Sequence, residues 1–96
     1  MIEQKDKEML ESMGYTQCKP FEKYIKHVKN IDGDAFTLQI WAVDPVKQNV
    51  VHGKYAAKAK YRYTNLYGYW LDDFYGDDVV ELDKKMMEDI DKYQDW

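Results

Sequence analysis

The sequence predicts an α+β domain: an antiparallel meander of three to four strands, with an N-terminal and a C-terminal helix packed on one face. Three observations lead there. Residues 35–43 and 54–63 alternate side-chain character with a period of two, as a strand does. The pair Asp32-Gly33, a strong hairpin signal, stands just before the first of these runs. Near the end, Val79, Leu82, Met86, Ile90 and Tyr93 recur every three or four residues, the spacing of a buried helical stripe.

The first element is a helix over about Ile2 to Met13, built from good helix formers. Ile2, Met9, Leu10 and Met13 can share one face, and Gly14 stands where a helix C-terminal glycine belongs. Residues 21–31 fit two patterns. Phe21, Tyr24, Ile25, Val28 and Ile31 make a helical stripe that Pro20 could open. The same stretch is rich in aromatic and β-branched residues and runs into Asp32-Gly33, so a strand is the better choice. From Ala35 to Val43, Phe36, Leu38, Ile40 and Ala42 face one way, and Thr37, Gln39, Trp41 and Val43 the other. The segment Asp44 to Asn49 contains Pro45 and reads as a turn.

Val50 to Thr64 returns as a long strand, with Gly53 marking a bulge near its start. Asn65 to Gly68 is a further turn, and Tyr69 to Tyr75 is a fourth strand or an aromatic loop. The closing helix starts at Asp78 as N-cap. Glu81 follows at capping-box spacing, with Asp in the Ser/Thr role.

The chain of 96 residues is expected to form one domain. Its net charge is −4, but the sign is unevenly spread. Residues 1–71 carry a surplus of Lys and Arg, whereas residues 72–96 are strongly acidic. Internal pairing of the two is the expected arrangement; separate surfaces of opposite sign are the alternative. A single cysteine, Cys18, excludes an internal disulfide and points to a reduced compartment. No apolar run approaches a membrane span and no signal-peptide core is present, so cytoplasmic residence is expected.

Catalytic motifs are missing. There is no nucleophile elbow, phosphate-cradling loop, zinc-protease helix or C-x-x-C pair. Cys18 could act as a nucleophile only with His27 or His52 beside it, and a lone cysteine is more often a small buried hydrophobe. Asp72, Asp73, Asp77 and Asp78 lack the spacing of a calcium loop. An enzyme, a metal site and a cofactor are therefore not expected.

The chemistry-bearing feature is the density of rings between Tyr55 and Tyr75. Tyr55, Ala57, Ala59, Tyr61 and Tyr63 occupy odd positions; Lys54, Lys58, Lys60 and Arg62 occupy even ones. One face of that strand is thus aromatic and the other cationic. The aromatic face is expected to be the inner face of the sheet, or to pair with a second copy in a symmetric dimer. Trp41, Tyr67, Tyr69, Trp70 and Tyr75 exceed what one small core needs. With Asp72 and Asp73 at the rim they are the expected protein-binding residues.

The leading expectation is a non-catalytic protein-binding module, a stoichiometric inhibitor or regulator of a larger cytoplasmic protein. The alternative is nucleic-acid binding through Lys54, Lys58, Lys60, Tyr61, Arg62 and Tyr63. Two points weigh against it: the rings and cations of that strand lie on opposite faces, and the chain is acidic overall. The helix–sheet–helix order is similar to that of double-stranded RNA-binding domains, but their basic glycine–lysine signature at the second helix is replaced here by acidic residues. The small, acidic, tyrosine-rich style resembles accessory proteins of bacterial mobile elements.

Overall fold

A computed structural model describes residues 2–19, 22–43, 53–62 and 68–93. The elements run α1 (Gln4–Ser12), β1 (Thr16–Cys18), β2 (Lys23–Lys29), β3 (Ala35–Ala42), β4 (Tyr55–Arg62), β5 (Gly68–Gly76) and α2 (Val79–Lys92). The strands form one sheet in the order β1-β2-β3-β4-β5, and each neighbouring pair is antiparallel. Among the described residues no helix is long and apolar enough to cross a membrane.

The sheet therefore has five strands rather than three or four. The unexpected one, β1, has three residues, too few for a periodicity to show in the sequence. As a short edge strand it also limits edge-to-edge pairing with other chains. Residues 23–29 are a strand, as the turn signal implied. The turn is longer than a two-residue hairpin: Asn30 N–H donates to the Asp34 carbonyl and Gly33 N–H to the Asn30 carbonyl. The Asn30 side-chain oxygen also accepts from the backbone N–H groups of Asp32 and Asp34. Gly33, at φ +88°, supplies the left-handed residue that a three-residue hairpin loop requires. The expected turn over residues 44–49 and the outer ends of the Val50–Thr64 strand lie outside the described residues.

The inner face of the sheet presents Tyr24 from β2, Phe36, Leu38 and Ile40 from β3, and Tyr55, Ala57, Ala59 and Tyr61 from β4, all buried. Val79, Leu82, Met86 and Ile90 of α2 bury against them. The alanines leave room for the helix to approach the centre of the sheet. α1 joins the same core through Leu10, and Ile2 does so just before the helix. Met9, expected on that face, is exposed instead: Leu10 takes the inward position, and its neighbour lies about 100° round the helix. The N-terminus of α2 is capped as expected: the Asp78 carboxylate accepts from the N–H groups of Val80 and Glu81.

Two polar ties fix the helices. The hydroxyl of Tyr55 donates to the Asp6 carboxylate and accepts from Glu3 N–H at 3.2 Å, which pins α1 over the start of β4. On α2, Asp83 Oδ1 accepts from the Tyr15 hydroxyl at 2.7 Å and from Lys26 Nζ at 2.7 Å.

The first of these ties has a pH signature. Burial, and then the hydrogen bond to Asp6, push the Tyr55 phenol up to about 12; burial and Asp83 raise Tyr15 in the same direction. The folded state holds these protons more tightly than the unfolded chain, whose tyrosines titrate near 10. The resulting stability is complete below pH ~10 and is lost as pH rises through about 12. For Tyr55 it is on the order of 2 kcal/mol. Urea midpoints are expected to hold steady to about pH 9.5 and then fall. Tyr55→Phe should show a shallower fall while losing roughly 1 kcal/mol at neutral pH. Equal alkaline slopes for the two proteins would show that this phenol is not responsible.

Candidate binding face

Both helices lie on the inner side of the sheet, so among the described residues no helix covers the other side. The side chains of this open face follow from the strand pairings as four cross-strand rows. The first is Cys18, Lys23, Trp41, Ala56 and Tyr75. The second is Thr16, Ile25, Gln39, Lys58 and Asp73. The third is His27, Thr37, Lys60 and Trp70, and the fourth Lys29, Ala35, Arg62 and Gly68.

Rings and cations therefore share a surface, although within β4 they do not. Tyr55 and Tyr61 turn inward while Lys58, Lys60 and Arg62 turn outward, as the alternation required. The outward rings come from the neighbours: Trp41 from β3, Trp70 and Tyr75 from β5. One of the two points against nucleic-acid binding is thereby removed.

A bulge makes this arrangement possible. Trp70 and Tyr75 have opposite parity and would point to opposite faces of a regular strand. The pairing of β4 with β5 shifts between Lys58 and Lys60, from Lys58↔Asp73 to Lys60↔Trp70. The extra residue in β5 reverses the facing of everything before it. Trp70 is thus aligned with Tyr75 and the lysines, and it is 43% exposed.

The free protein rests its ammonium groups on its rings. Lys58 Nζ and Lys60 Nζ each lie 5.3 Å from the Trp70 ring centroid, and Lys23 Nζ lies 6.0 Å from that of Trp41. Such contacts are worth about 0.5–1 kcal/mol each at exposed sites, so an incoming planar group can displace them. Among the described residues the strands bring Lys23, Lys29, Lys58, Lys60 and Arg62 to this face against one carboxylate, Asp73, which pairs with Lys58 at 3.0 Å. The acids of α2 project from the opposite side. A single ion pair, Lys26 with Asp83 at 2.7 Å, links α2 to a strand among the described residues. Among the described residues the acidic segment 72–96 thus pairs in part with the basic strands, through Asp73 and Asp83, while the other acids of α2 stand on the side away from the open face.

The centre of the face is recessed and polar. Thr37 and Gln39 are buried, each a shorter side chain flanked in register by lysine. Gln39 Oε1 accepts from Lys23 Nζ at 2.9 Å. The Thr37 hydroxyl oxygen is shielded and has no hydrogen-bond partner among the described residues.

The residues expected to bind protein divide between the two sides. Trp41, Trp70, Asp73 and Tyr75 meet on the open face. Tyr69 lies on the helix side, packed on Tyr61 and Tyr93 with its hydroxyl 2.6 Å from that of Tyr93. Asp72 is turned toward α2, where its backbone N–H donates to Asp89 Oδ2 at 3.0 Å. Burial, opposed by that hydrogen bond and reinforced by the Asp72 charge, raises the Asp89 carboxyl above its ordinary range. Tyr67 lies outside the described residues.

Of the residues expected to bind nucleic acid, Lys58, Lys60 and Arg62 are on the open face. Tyr61 is not: it is 8% exposed and stacked on Tyr93 under α2. Lys54 is held at the α1 end by Glu3 at 3.2 Å, and Tyr63 lies outside the described residues. The aromatic face of β4, the surface expected to close a dimer, is occupied by α2 of the same chain. A dimer on that face would have to displace the helix.

A thiol–imidazole pair does not form between Cys18 and His27. Cys18 is in register with Lys23, four residues along β2 from His27, or about 13 Å at the rise of a strand. His52 lies outside the described residues.

Lys23, Lys29, Thr37 and Gln39 were not singled out from the sequence. Their alternation was visible, but not which strands they would lie beside. No protein-family model matches the chain, and no curated protein or solved structure is similar enough to match it.

Proposed function

We propose that this protein is a non-catalytic module that binds single-stranded nucleic acid on the open face of its sheet. The observation that supports the reading is the register: it places Trp41, Trp70 and Tyr75 on one surface with Lys23, Lys29, Lys58, Lys60 and Arg62. A cationic surface with stacking rings suits a ligand that offers phosphates and unstacked bases together. Duplex hides its bases, so it can use the cations but not the rings.

The acidic net charge is not a strong objection. The acids of α2 are separated from the open face by the sheet and by a helix of about 10 Å diameter. That separation is comparable with the screening length of about 8 Å at physiological salt.

The protein-binding reading shares Trp41, Trp70, Asp73 and Tyr75. It fits the face less well, because lysine is depleted at protein interfaces and this surface is dominated by it.

Titration of labelled single-stranded and duplex oligonucleotides of one sequence, from 50 to 200 mM salt, separates the readings. Single strands should bind more tightly. With four or five phosphates neutralised, log K against log salt should fall with a slope of about −3. A duplex preference removes the stacking role of the rings. The absence of salt-dependent binding leaves the protein-binding reading, to be tested by capture with wild-type protein against Trp41→Ala.

A further inference from the structure

We infer that Thr37 and Gln39 make binding base-selective, by hydrogen-bonding the base that crosses the recessed floor between Trp41 and Trp70. The inference rests on the single-strand reading above and adds specificity to it.

Trp41 is four residues from Thr37 on β3, and Trp70 shares the row of Thr37 two strands away. With a rise of 3.3–3.4 Å per residue and strands 4.7–4.9 Å apart, the two tryptophans stand about 16 Å apart. A strand stacked on both rings has to cross the ground between them. The direct line between them passes over Lys58 on β4; Gln39 and Thr37 border it on β3 and carry no ring. A base there finds no stacking platform on β3 and can gain only by hydrogen bonding. Stacking accepts every base, because every base has a π-face; donor and acceptor patterns on a base edge do not match all four.

Thr37 gives the independent observation. Its side chain is 4% exposed and its hydroxyl is without a hydrogen-bond partner among the described residues. A buried polar group left in that state destabilises the fold. Valine has nearly the same shape and would serve a purely structural role better. In-register Lys60 leans away from Thr37 toward β5, with its ammonium over Trp70 and its stem beside Gly68. The hydroxyl can donate or accept, and Gln39 contributes an amide beside it.

The experiment compares wild type, Thr37→Val, Thr37→Ser and Gln39→Leu against single-stranded dA, dC and dT homopolymers of equal length, with the salt slope measured for each. Wild type should discriminate by about tenfold between its strongest and weakest homopolymer, as one or two net hydrogen bonds allow. Thr37→Val should reduce the spread to less than about threefold, leave the salt slope unchanged and unfold at the same or a higher temperature. Thr37→Ser should retain the spread, and Gln39→Leu should narrow it. A hydroxyl satisfied only by water would change the melting temperature and not the spread. Equal wild-type affinities, or a spread that persists in both Thr37→Val and Gln39→Leu, overturn this inference while the salt slope keeps the single-strand reading. Failure of every homopolymer to bind overturns both.

Discussion

Replacing Asp83 with alanine should cost the fold about 2–4 kcal/mol, somewhat below the usual range for breaking a buried ion pair because this one is partly exposed. Asp83 receives hydrogen bonds from Tyr15, at the end of the α1 turn, and from Lys26, on β2. Lys26 pairs with Leu38 across the strands and sits on the inner, helix-covered face. Its ammonium is 4.8 Å from the Tyr15 ring centroid. Only 18% of either ionic side chain is exposed, so removal of the carboxylate strands a cation and a phenol at the edge of the core. The total stability of a domain this size is about 5–14 kcal/mol. Urea unfolding should therefore show a midpoint lower by roughly 2–4 M for a slope near 1 kcal/mol/M. Asp83→Asn should fall between, since its carbonyl still accepts one of the two bonds. Asp83→Leu combined with Lys26→Met should recover most of the loss, because an apolar pair avoids both desolvation costs. A loss below about 0.5 kcal/mol in Asp83→Ala, the range of an ordinary surface substitution, would show that the tie is incidental.

Lys26 also shows how far the sequence can be read. Its even position on β2 places it on the inner face, where charge is not anticipated, and its partner is 57 residues away. Local patterns were legible: the period of two in β3 and β4, the Asp78 cap, the stripe of α2 and the inward turn of Tyr55 and Tyr61. Relations between strands were not. β2 and β3 pair with odd residues opposite odd, but β3 and β4 pair odd opposite even, as in Trp41↔Ala56. That change of parity shows only in the register of the pairing. It decides whether Trp41 lies with the lysines or away from them. The bulge in β5 is a second such switch. Without it Tyr69, and not Trp70, would lie on the open face beside the lysines. A one-residue difference in pairing moves a whole strand to the other face, and no composition rule reports it.

That dependence on register gives the most decisive test of the binding face. Lys58→Glu with Lys60→Glu should weaken single-strand binding by about 100-fold near 0.1 M salt. Losing two phosphate contacts accounts for roughly 25-fold and lowers the salt slope by about 1.4; repulsion by the two new carboxylates supplies the remainder. Trp70→Ala should weaken binding by about 5- to 150-fold, the 1–3 kcal/mol of one stacked base, with no change in slope. The two variants thus separate charge from stacking on adjacent residues of one surface. Tyr69 and Lys84 are the controls. Tyr69→Ala removes a ring that packs on Tyr61 and Tyr93 across the sheet from the lysines, so it should lower the melting temperature and leave affinity within about twofold. Lys84→Glu reverses an exposed charge on α2, beyond one screening length, and should change neither the melting temperature nor the affinity appreciably. If Tyr69→Ala abolishes binding and Trp70→Ala does not, the ligand sits on the helix side and the open face is not the site. If Lys84→Glu matches the Lys58/Lys60 variant, the attraction comes from the charge of the whole molecule, and the arrangement of cations around the two tryptophans has no part in it.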